Sequence, residues 1–336
     1  MASAVRPRAA KGGWMILVTG GAGYIGSHTI KELLRDGREV VALDNLSAGH
    51  RELVLCPEFV EGDLADAALL ARTFRRYPIE AVIHFAAYTS VPESVANPRK
   101  YYQNNVVNGL SLLDAMVECG VNAIVFSSSA AVYGDPVRVP IPEDHPCAPK
   151  NPYGRTKLAF EGILHDYGVA YGLRHVSLRY FNAAGSDPDG EIGECHDPET
   201  HLIPIVLEVA AGVRREVQIF GTDYETKDGT AVRDYIHVSD LARAHVRALG
   251  ALEGGKAAPA YNLGTGRGHT VREVVECCRR ITGREIRAVD APRRAGDPAA
   301  LVADPSRAKR DLGWEPRFTT LDPIVETAWR WMLRRR

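Results

Sequence analysis

Short apolar runs alternate with longer amphipathic stretches along the first half of the 336-residue chain. Runs of this kind are typical of parallel strands that are covered on both faces. The predicted strands are Ile16–Val18, Val40–Leu43, Ala81–Ala86, Ala123–Phe126 and Val176–Leu178. Apolar positions at helical spacing predict helices between the strands, over Ile25–Leu34, Asp66–Phe74 and Arg99–Glu118. This alternation predicts an α/β fold in which a doubly wound parallel sheet is wrapped by helices.

The second half has a different pattern, because its helical stretches alternate with short strand-like pieces between clusters of proline and glycine. The predicted helices are Leu202–Ala211, Asp240–Leu252, Val271–Ile281 and Ile324–Leu333, and the predicted strands are Val217–Phe220 and Ala260–Leu263. No linker between the halves is long enough for a free hinge. We expect a disordered extension over 1–14, a first domain over 15–182 and a smaller α/β lobe over 183–336. Segments such as 232–240 are expected to return to the first domain.

Composition and charge narrow the class of protein. The chain carries 41 basic and 42 acidic side chains, a net charge of −1, and 45% of its residues are apolar. These values are ordinary for a globular protein, and they argue against nucleic acid as a partner. No apolar run approaches the roughly 18 residues that span a bilayer, so no membrane partner is expected. Six cysteines without a CxxC pair, and the lack of a secretory signal, predict a reducing, cytoplasmic location.

A glycine-rich turn follows the first predicted strand and opens the first predicted helix. The segment Gly20–Gly26 fits GxGxxG, whose glycines let backbone N–H groups approach a pyrophosphate at a helix N-terminus. Asp44 ends the second strand 18 positions after Gly26, near the offset at which an acid binds the adenosine ribose. An acid there favours NAD over NADP. Asp63 is a candidate for the adenine edge, although a solvated loop acid is an alternative interpretation.

A second pattern places a tyrosine and a lysine on one helix face. Tyr153 and Lys157 are four residues apart, and Asn151-Pro152 resembles a helix start. A lysine ammonium nearby favours the phenolate, which brings a tyrosine closer to the working range of a general base. Ser127-Ser128-Ser129 ends a predicted strand, so its hydroxyls belong at the carboxyl edge of the sheet, where ligands bind. The alternative interpretation of Tyr153 and Lys157 is a solvated helix face.

These segments together resemble the extended short-chain dehydrogenases/reductases, and more narrowly the UDP-glucose 4-epimerase family. The matching segments are Thr19–Gly26, Asp63-Leu64, Phe85-Ala86-Ala87, Asn105, Phe126–Gly134, Tyr153–Lys157, Arg179–Asn182 and Val232–Asp240. The resemblance runs from about Met15 to Trp331. It implies a Rossmann-type domain that holds NAD tightly and a lobe that binds a UDP-sugar. It also implies reversible epimerisation at the sugar C4 through a transient 4-keto sugar.

The resemblance further implies a role for particular residues. Tyr153 would be the general base on the sugar 4-hydroxyl, Lys157 would bind the nicotinamide ribose, and Ser129 would bond the same sugar oxygen. The implied cofactor contacts are Gly20, Gly23, Tyr24, Ile25, Gly26, Asp44, Asn45, Asp63, Leu64, Phe85, Ala86, Ala87, Asn105, Ser127, Tyr153, Lys157 and Tyr180. The implied substrate contacts are Ser129, Tyr153, Asn182, His201, Leu202, Val217, Gln218, Phe220, Arg233, Arg294, Asp297 and Leu301. A homodimer that packs helices matching Arg99–Glu118 and Tyr153–Tyr167 is also implied.

The chain departs from the family pattern at three places. Tyr88-Thr89-Ser90 offers no lysine near the cofactor phosphates, and His201 stands where an asparagine is common. Leu301 matches the position whose size is thought to gate the sugar pocket. Because leucine is intermediate between a small residue and a large tyrosine, activity on N-acetylated sugars is left open.

Other functions are weighed against this hypothesis. Ala130 and Ala131 occupy positions where nucleotide-sugar 4,6-dehydratases carry an acid pair, which disfavours dehydration. A 4-epimerase of UDP-N-acetylglucosamine, UDP-xylose/arabinose or UDP-glucuronate stays open, and a non-catalytic nucleotide sensor is a remote alternative. We predict no metal site, because Cys195, His196 and His201 lack a CxxC or HxxxH partner.

Overall fold

The computed structural model describes residues 14–255, 258–294 and 296–335. Its strands are β1 (Met15–Thr19), β2 (Val40–Asp44), β3 (Glu58–Glu61), β4 (Ile79–His84), β5 (Ala123–Ser127), β6 (Arg174–Tyr180), β7 (Asn182–Ala184), β8 (Val217–Phe220), β9 (Val232–Arg233), β10 (Tyr235–His237), β11 (Ala258–Leu263), β12 (His269–Thr270), β13 (Ala288–Ala291) and β14 (Ala300–Leu301). Its α-helices are α1 (Tyr24–Arg35), α2 (Ala67–Arg76), α3 (Val91–Ala96), α4 (Pro98–Tyr102), α5 (Asn108–Glu118), α6 (Pro152–Tyr171), α7 (Leu202–Ala210), α8 (Val238–Glu253), α9 (Val271–Thr282), α10 (Ser306–Leu312) and α11 (Leu321–Arg334). Of the predicted extension 1–14, all but Trp14 lies outside the described residues.

Seven parallel strands form the central sheet, in the order β11-β6-β5-β4-β1-β2-β3. The chain moves outward from β1 in one direction through β2 and β3, and in the other through β4, β5 and β6. The order therefore reverses beside β1, and a crevice at the carboxyl ends of β1 and β4 is where such sheets bind ligands. The predicted doubly wound α/β fold is confirmed.

The second half of the chain contributes to this sheet. Strand β11 pairs in parallel with β6, with Leu263 opposite Tyr180. Helix α8 covers the same face as α1, since Leu241 and Leu249 lie in one buried cluster with Ile30 and Leu33. The sheet and its helical cover thus extend well past residue 182, where we expected the first domain to end.

The smaller lobe is built from short sheets and three helices. Strand β8 pairs with β13, β9 lies between β12 and β14, and β7 pairs with β10. Helices α7, α9 and α11 enclose a separate core that includes Ile203, Val274 and Ile324. Within the described residues, no helix is both long enough and apolar enough to cross a membrane.

Each predicted strand and helix has a counterpart, but one predicted helix is interrupted. The stretch Arg99–Glu118 consists of α4, a π-helical segment over Gln103–Val107, and α5. Within the π segment Asn105 is buried and its amide bonds to Tyr88 and Thr156. The spacing of apolar residues gives no information about a buried polar side chain such as Asn105. For this reason the sequence predicted one continuous helix.

Candidate active site

The glycine-rich turn is closed so tightly that side chains do not fit. Gly20 has φ +71°, and a Cβ there would lie 2.6 Å from the Ala86 nitrogen. A Cβ on Gly26 would lie 2.1 Å from the Gly20 oxygen. Gly23 caps α1 without a side-chain hydrogen bond, and the first turn of the helix carries no acid. The first N–H groups of α1 are therefore available to an anion.

Acidic and amide groups gather beside this turn. Asp44, at the end of β2, is buried and accepts hydrogen bonds of 2.9 Å from the backbone nitrogens of Ala22 and Leu46. Burial raises the pKa of its carboxyl group, an effect that these two bonds oppose. Asn45 donates to Asp63 across 2.6 Å. The structure thus places Asp44, Asn45 and Asp63 side by side, as the predicted ribose and adenine contacts require.

Tyr153 begins helix α6 at the carboxyl edge of the sheet. The Asn151 side chain caps α6 by accepting a 2.9 Å hydrogen bond from Gly154 N, and Pro152 occupies the first helical turn. Tyr153 is buried, and its hydroxyl bonds to the side chain of Ser129, which follows β5. Burial raises the pKa of Tyr153, and the bond to Ser129 opposes this rise. The structure brings the predicted base and its predicted serine together.

Lys157 lies on the same helix face but points at a different partner. Its buried Nζ donates to the Ser127 carbonyl across 2.7 Å and lies 5.9 Å from the centre of the Tyr153 ring. Burial lowers the pKa of Lys157 to about 7. In this arrangement the amine of Lys157 bonds the Ser127 carbonyl, and its effect on the pKa of Tyr153 stays a prediction.

Two further hydrogen-bonded pairs of side chains lie near Lys157 at the carboxyl edge of the sheet. Ser127 Oγ and the Tyr180 hydroxyl share a hydrogen bond of 2.5 Å. His84, at the end of β4, bonds to Thr19 across 2.7 Å, and its ring stacks on Phe126. Burial, and then the charge of Lys157, lower the pKa of His84 to about 3. A neutral imidazole therefore lies under Lys157. Sequence reasoning missed it, although a histidine within the apolar run Ala81–Ala86 is a visible signal.

The smaller lobe brings together residues that are far apart in sequence. Arg233 forms an ion pair with Asp297. Leu301 lies opposite Arg233 in the β14–β9 pair, and the Arg294 guanidinium lies 4.0 Å from the centre of the Phe220 ring. These five predicted substrate contacts therefore form two small groups at the face of the smaller lobe.

The other predicted substrate contacts are more scattered. On β8, Val217 is buried in the lobe core and Gln218 is exposed on the opposite side, so only one of the two side chains can face a ligand. Half-buried Asn182 begins β7, and His201 precedes α7 with its imidazole bonded to Glu194 and Glu199. Leu202 packs against the lobe core.

Residues 16–264 match the NAD dependent epimerase/dehydratase family. The chain belongs to this family. A UDP-glucose 4-epimerase from Halalkalibacterium halodurans is 54% identical over 316 residues, which cover 94% of this chain and 95% of that protein. The crystal structure of UDP-glucose 4-epimerase from Brucella ovis in complex with NAD has a TM-score of 0.92 and 53% identity, and the match covers 95% of this chain and 98% of that one. The enzyme from Bifidobacterium longum, in complex with NAD⁺ and UDP, has a TM-score of 0.91 and 42% identity over 95% and 98% of the two chains.

This epimerase/dehydratase family member holds several predicted cofactor residues by internal bonds. The Asn105 amide accepts from Tyr88 N across 2.9 Å and donates to the Tyr88 oxygen across 3.0 Å. It thereby fixes the loop that follows Phe85, Ala86 and Ala87. Leu64 is buried in the sheet core. Tyr24 donates from its hydroxyl to the Gly185 oxygen across 2.5 Å, and Ile25 packs on the core beneath the turn.

Glu161 is a further residue near the site that sequence reasoning missed. It lies one helical turn after Lys157, accepts a 2.5 Å hydrogen bond from Ser128, and forms a buried ion pair with Arg179. The pair anchors α6 to β5 and β6, the two strands that end at Ser127 and Tyr180. The i, i+4 spacing from Lys157 is the signal that could have found Glu161.

Proposed function

We propose that this protein interconverts UDP-glucose and UDP-galactose by epimerisation at C4, with NAD bound throughout. The observation that carries the proposal is the buried Tyr153 hydroxyl bonded to Ser129, with Lys157 one helical turn away. The family match supports it, and so do relatives named UDP-glucose 4-epimerase at about half identity over nearly the whole chain.

The residues at the carboxyl edge fit a dinucleotide. The N–H groups at the start of α1 would hold the pyrophosphate, and the Asp44 carboxylate would hold the ribose hydroxyls. Bound NAD supplies the chemistry of accepting a hydride from the sugar C4 and returning it. The turn that would bind the pyrophosphate needs glycine at positions 20 and 26, because a side chain at either position would displace it.

Tyr153 takes the proton of the sugar 4-hydroxyl, and Ser129 bonds the same oxygen. A protonated Lys157 close to the phenol would stabilise the phenolate, so a shift of its amine from the Ser127 carbonyl toward Tyr153 would activate the base. At present the amine lies 5.9 Å from the centre of the Tyr153 ring. As the C4 hydrogen leaves, the sugar becomes a 4-keto sugar. After the sugar rotates, return of that hydride to the opposite face of C4, with reprotonation of the 4-oxygen by Tyr153, would give the epimer.

The smaller lobe would hold the UDP portion of the substrate, which stays fixed while the sugar rotates. Arg233, Arg294 and Asn182 would bind the diphosphate, since guanidinium groups match phosphate oxygens. Asp297 is the group for the uridine ribose, and Phe220 supplies a flat surface for uracil. Binding through the UDP portion leaves the sugar free to rotate, which epimerisation requires.

A 4-epimerase of other UDP-sugars is the second candidate. Leu301 is half-buried against Tyr133 and Phe181 at the edge of the site, where its side chain limits the space beside the sugar. N-acetylated sugars differ from glucose at C2, whereas the pentose and uronate sugars named above differ in the substituent at C5. The alanines at 130 and 131 leave no acid pair for dehydration.

We assign residues 15–182, together with α8 and β11, to an NAD-binding domain, and most of 183–336 to a UDP-sugar lobe. A homodimer is supported by exposed apolar side chains on the helices expected to pair, among them Val107, Val169 and Tyr171. Free cysteines throughout the described residues fit a reducing compartment such as the cytoplasm.

The function is tested by incubating purified protein with UDP-galactose, without added NAD, and measuring UDP-glucose by NMR. Tyr153→Phe should lower turnover by roughly 10²- to 10⁴-fold, the contribution of a general base, and should keep its bound NAD. Tyr171→Phe, at an exposed position on the same helix, is the matched control and should retain full activity. Absence of UDP-glucose with the wild type would refute the function, and full activity of Tyr153→Phe would refute the assigned base.

A further inference from the structure

Two carboxylates and two imidazoles converge in the loop before α7. Glu194, His196, Glu199 and His201 each offer one ligand atom, and these atoms all lie within 4.8 Å of one another. Glu194 Oε1 lies 2.9 Å from His196 Nδ1 and 2.8 Å from His201 Nδ1. Glu199 Oε1 lies 3.0 Å from His201 Nδ1. The sequence predicted no metal site because these ligands follow no recognised spacing and come from an irregular loop.

The negative charges of the two carboxylates need a positive charge close by. The side chains of Glu194 and Glu199 are only 6% and 7% exposed, and buried carboxylates are costly unless they are paired or coordinate a cation. Although burial opposes the shift, the two imidazoles lower the pKa of Glu194 to about 2. Two carboxylates with two neutral imidazoles balance one divalent cation. The rings of His196 and His201 lie 4.9 Å apart, so one ion can contact both.

We propose that Glu194, His196, Glu199 and His201 bind one divalent transition-metal ion, with Zn²⁺ as the best match. Zinc takes imidazole nitrogen and carboxylate oxygen at about 2.0–2.2 Å, which corresponds to ligand separations of roughly 3.4 Å in a tetrahedron. The closest pairs at 2.8 and 3.0 Å need to open slightly, and the widest at 4.8 Å need to close. Mg²⁺ and Ca²⁺ prefer oxygen ligands alone and are a poor match.

The surroundings of the cluster support a built site. The imidazoles of His196 and His201 are 31% and 45% exposed, so an ion can enter from solvent. The backbone of the loop is fixed from both lobes, because His50 bonds the Cys195 oxygen across 2.7 Å and Trp331 donates to the Glu194 oxygen across 2.9 Å. The edge of the Tyr24 ring meets His196.

A metal at this position would hold the loop that precedes α7. It would thereby join the smaller lobe to the glycine-rich turn through Tyr24, which is itself bonded to Gly185. The metal proposal does not depend on which UDP-sugar is the substrate, because its ligands and its test involve no turnover.

The test uses full-length protein that is stripped with a chelator, returned to buffer and titrated with Zn²⁺ by calorimetry. We expect one ion per chain, no binding of Mg²⁺, and a visible absorption band when Co²⁺ replaces Zn²⁺. His196→Ala and Glu194→Gln should each weaken Zn²⁺ binding by more than the roughly tenfold that removal of an outer partner costs. His165→Ala removes an exposed histidine outside the cluster and should bind as the wild type does.

Two results would overturn the proposal. One is a stripped wild type that takes up no Zn²⁺, which would leave the cluster as an ion-pair network. The other is a folded His196→Ala or Glu194→Gln protein, checked by circular dichroism, that binds Zn²⁺ as tightly as His165→Ala. Thermal unfolding gives a second readout, since Zn²⁺ should raise the Tm of the wild type and of His165→Ala but not of the cluster variants.

Discussion

Burial of Lys157 makes the stability of the protein depend on pH, and Lys157→Met should remove that dependence. The amine has a pKa of about 7 in the folded chain, against 10.5 for an unperturbed lysine, and burial is the cause. Between these values the unfolded chain binds a proton that the folded chain does not, so raising the pH favours folding. Above pH 10.5 the amine is neutral in both states, and its burial costs no charge. As the pH falls toward about 7, that advantage is lost and the free energy of unfolding decreases.

The size of the effect follows from the two pKa values. A proton difference of one is worth about 1.4 kcal/mol per pH unit. Allowing for partial titration at both ends, nucleotide-free wild type should gain roughly 2–3 kcal/mol of unfolding free energy relative to Lys157→Met between about pH 8 and pH 10. Titration of Tyr153 is common to both proteins and cancels in the difference.

Urea unfolding of the two proteins at several pH values measures this difference. Lys150→Met is the matched control, because the Lys150 side chain is exposed and pairs with Asp135 at the surface. Its stability should run parallel to that of the wild type. If Lys157→Met also ran parallel to the wild type, the amine would be charged in the folded protein. The position of Lys157 against the Ser127 carbonyl would then need a different explanation.

Two further predictions concern specificity and assembly. Leu301→Tyr should reduce turnover of UDP-N-acetylglucosamine by roughly tenfold relative to UDP-galactose, because the larger ring fills space beside the sugar. An unchanged ratio in a paired kinetic assay would discard this gate. Light scattering should give twice the chain mass of 36.7 kDa, and a monomer at micromolar concentration would rule out pairing through Val107, Val169 and Tyr171.

Local patterns in the sequence predicted the elements that depend on local physics. The strand Val217–Phe220 has the predicted bounds, and α1 and α9 differ from prediction by a single residue at one or both ends. The glycine-rich turn and the Tyr153–Lys157 pair were found because each has a fixed spacing within one element. The family prediction is confirmed by the match over 16–264.

The sequence could not show which partner a buried polar side chain selects. Lys157 bonds Ser127 and Asn105 bonds Tyr88, and in both cases the partner belongs to a different element. The π segment around Asn105 and the buried Glu161–Arg179 pair depend on such choices as well. Packing between elements of the sheet decides these pairings. Hydrophobic periodicity describes one element at a time and gives no information about such packing.

Contacts around α1 show why long-range pairing matters for the proposed reaction. Tyr24 bonds the Gly185 oxygen across 2.5 Å, and Lys31 pairs with Asp187 across 2.6 Å, over sequence separations of 161 and 156 residues. These two bonds join the glycine-rich turn and α1 to the segment after β7. A 4-keto sugar that rotates between two hydride transfers must present both faces of C4 to one fixed cofactor while its 4-oxygen stays within reach of Tyr153. In the proposed reaction this junction would hold the cofactor cradle at a constant distance from the lobe that binds the diphosphate, so that rotation is confined to the sugar itself.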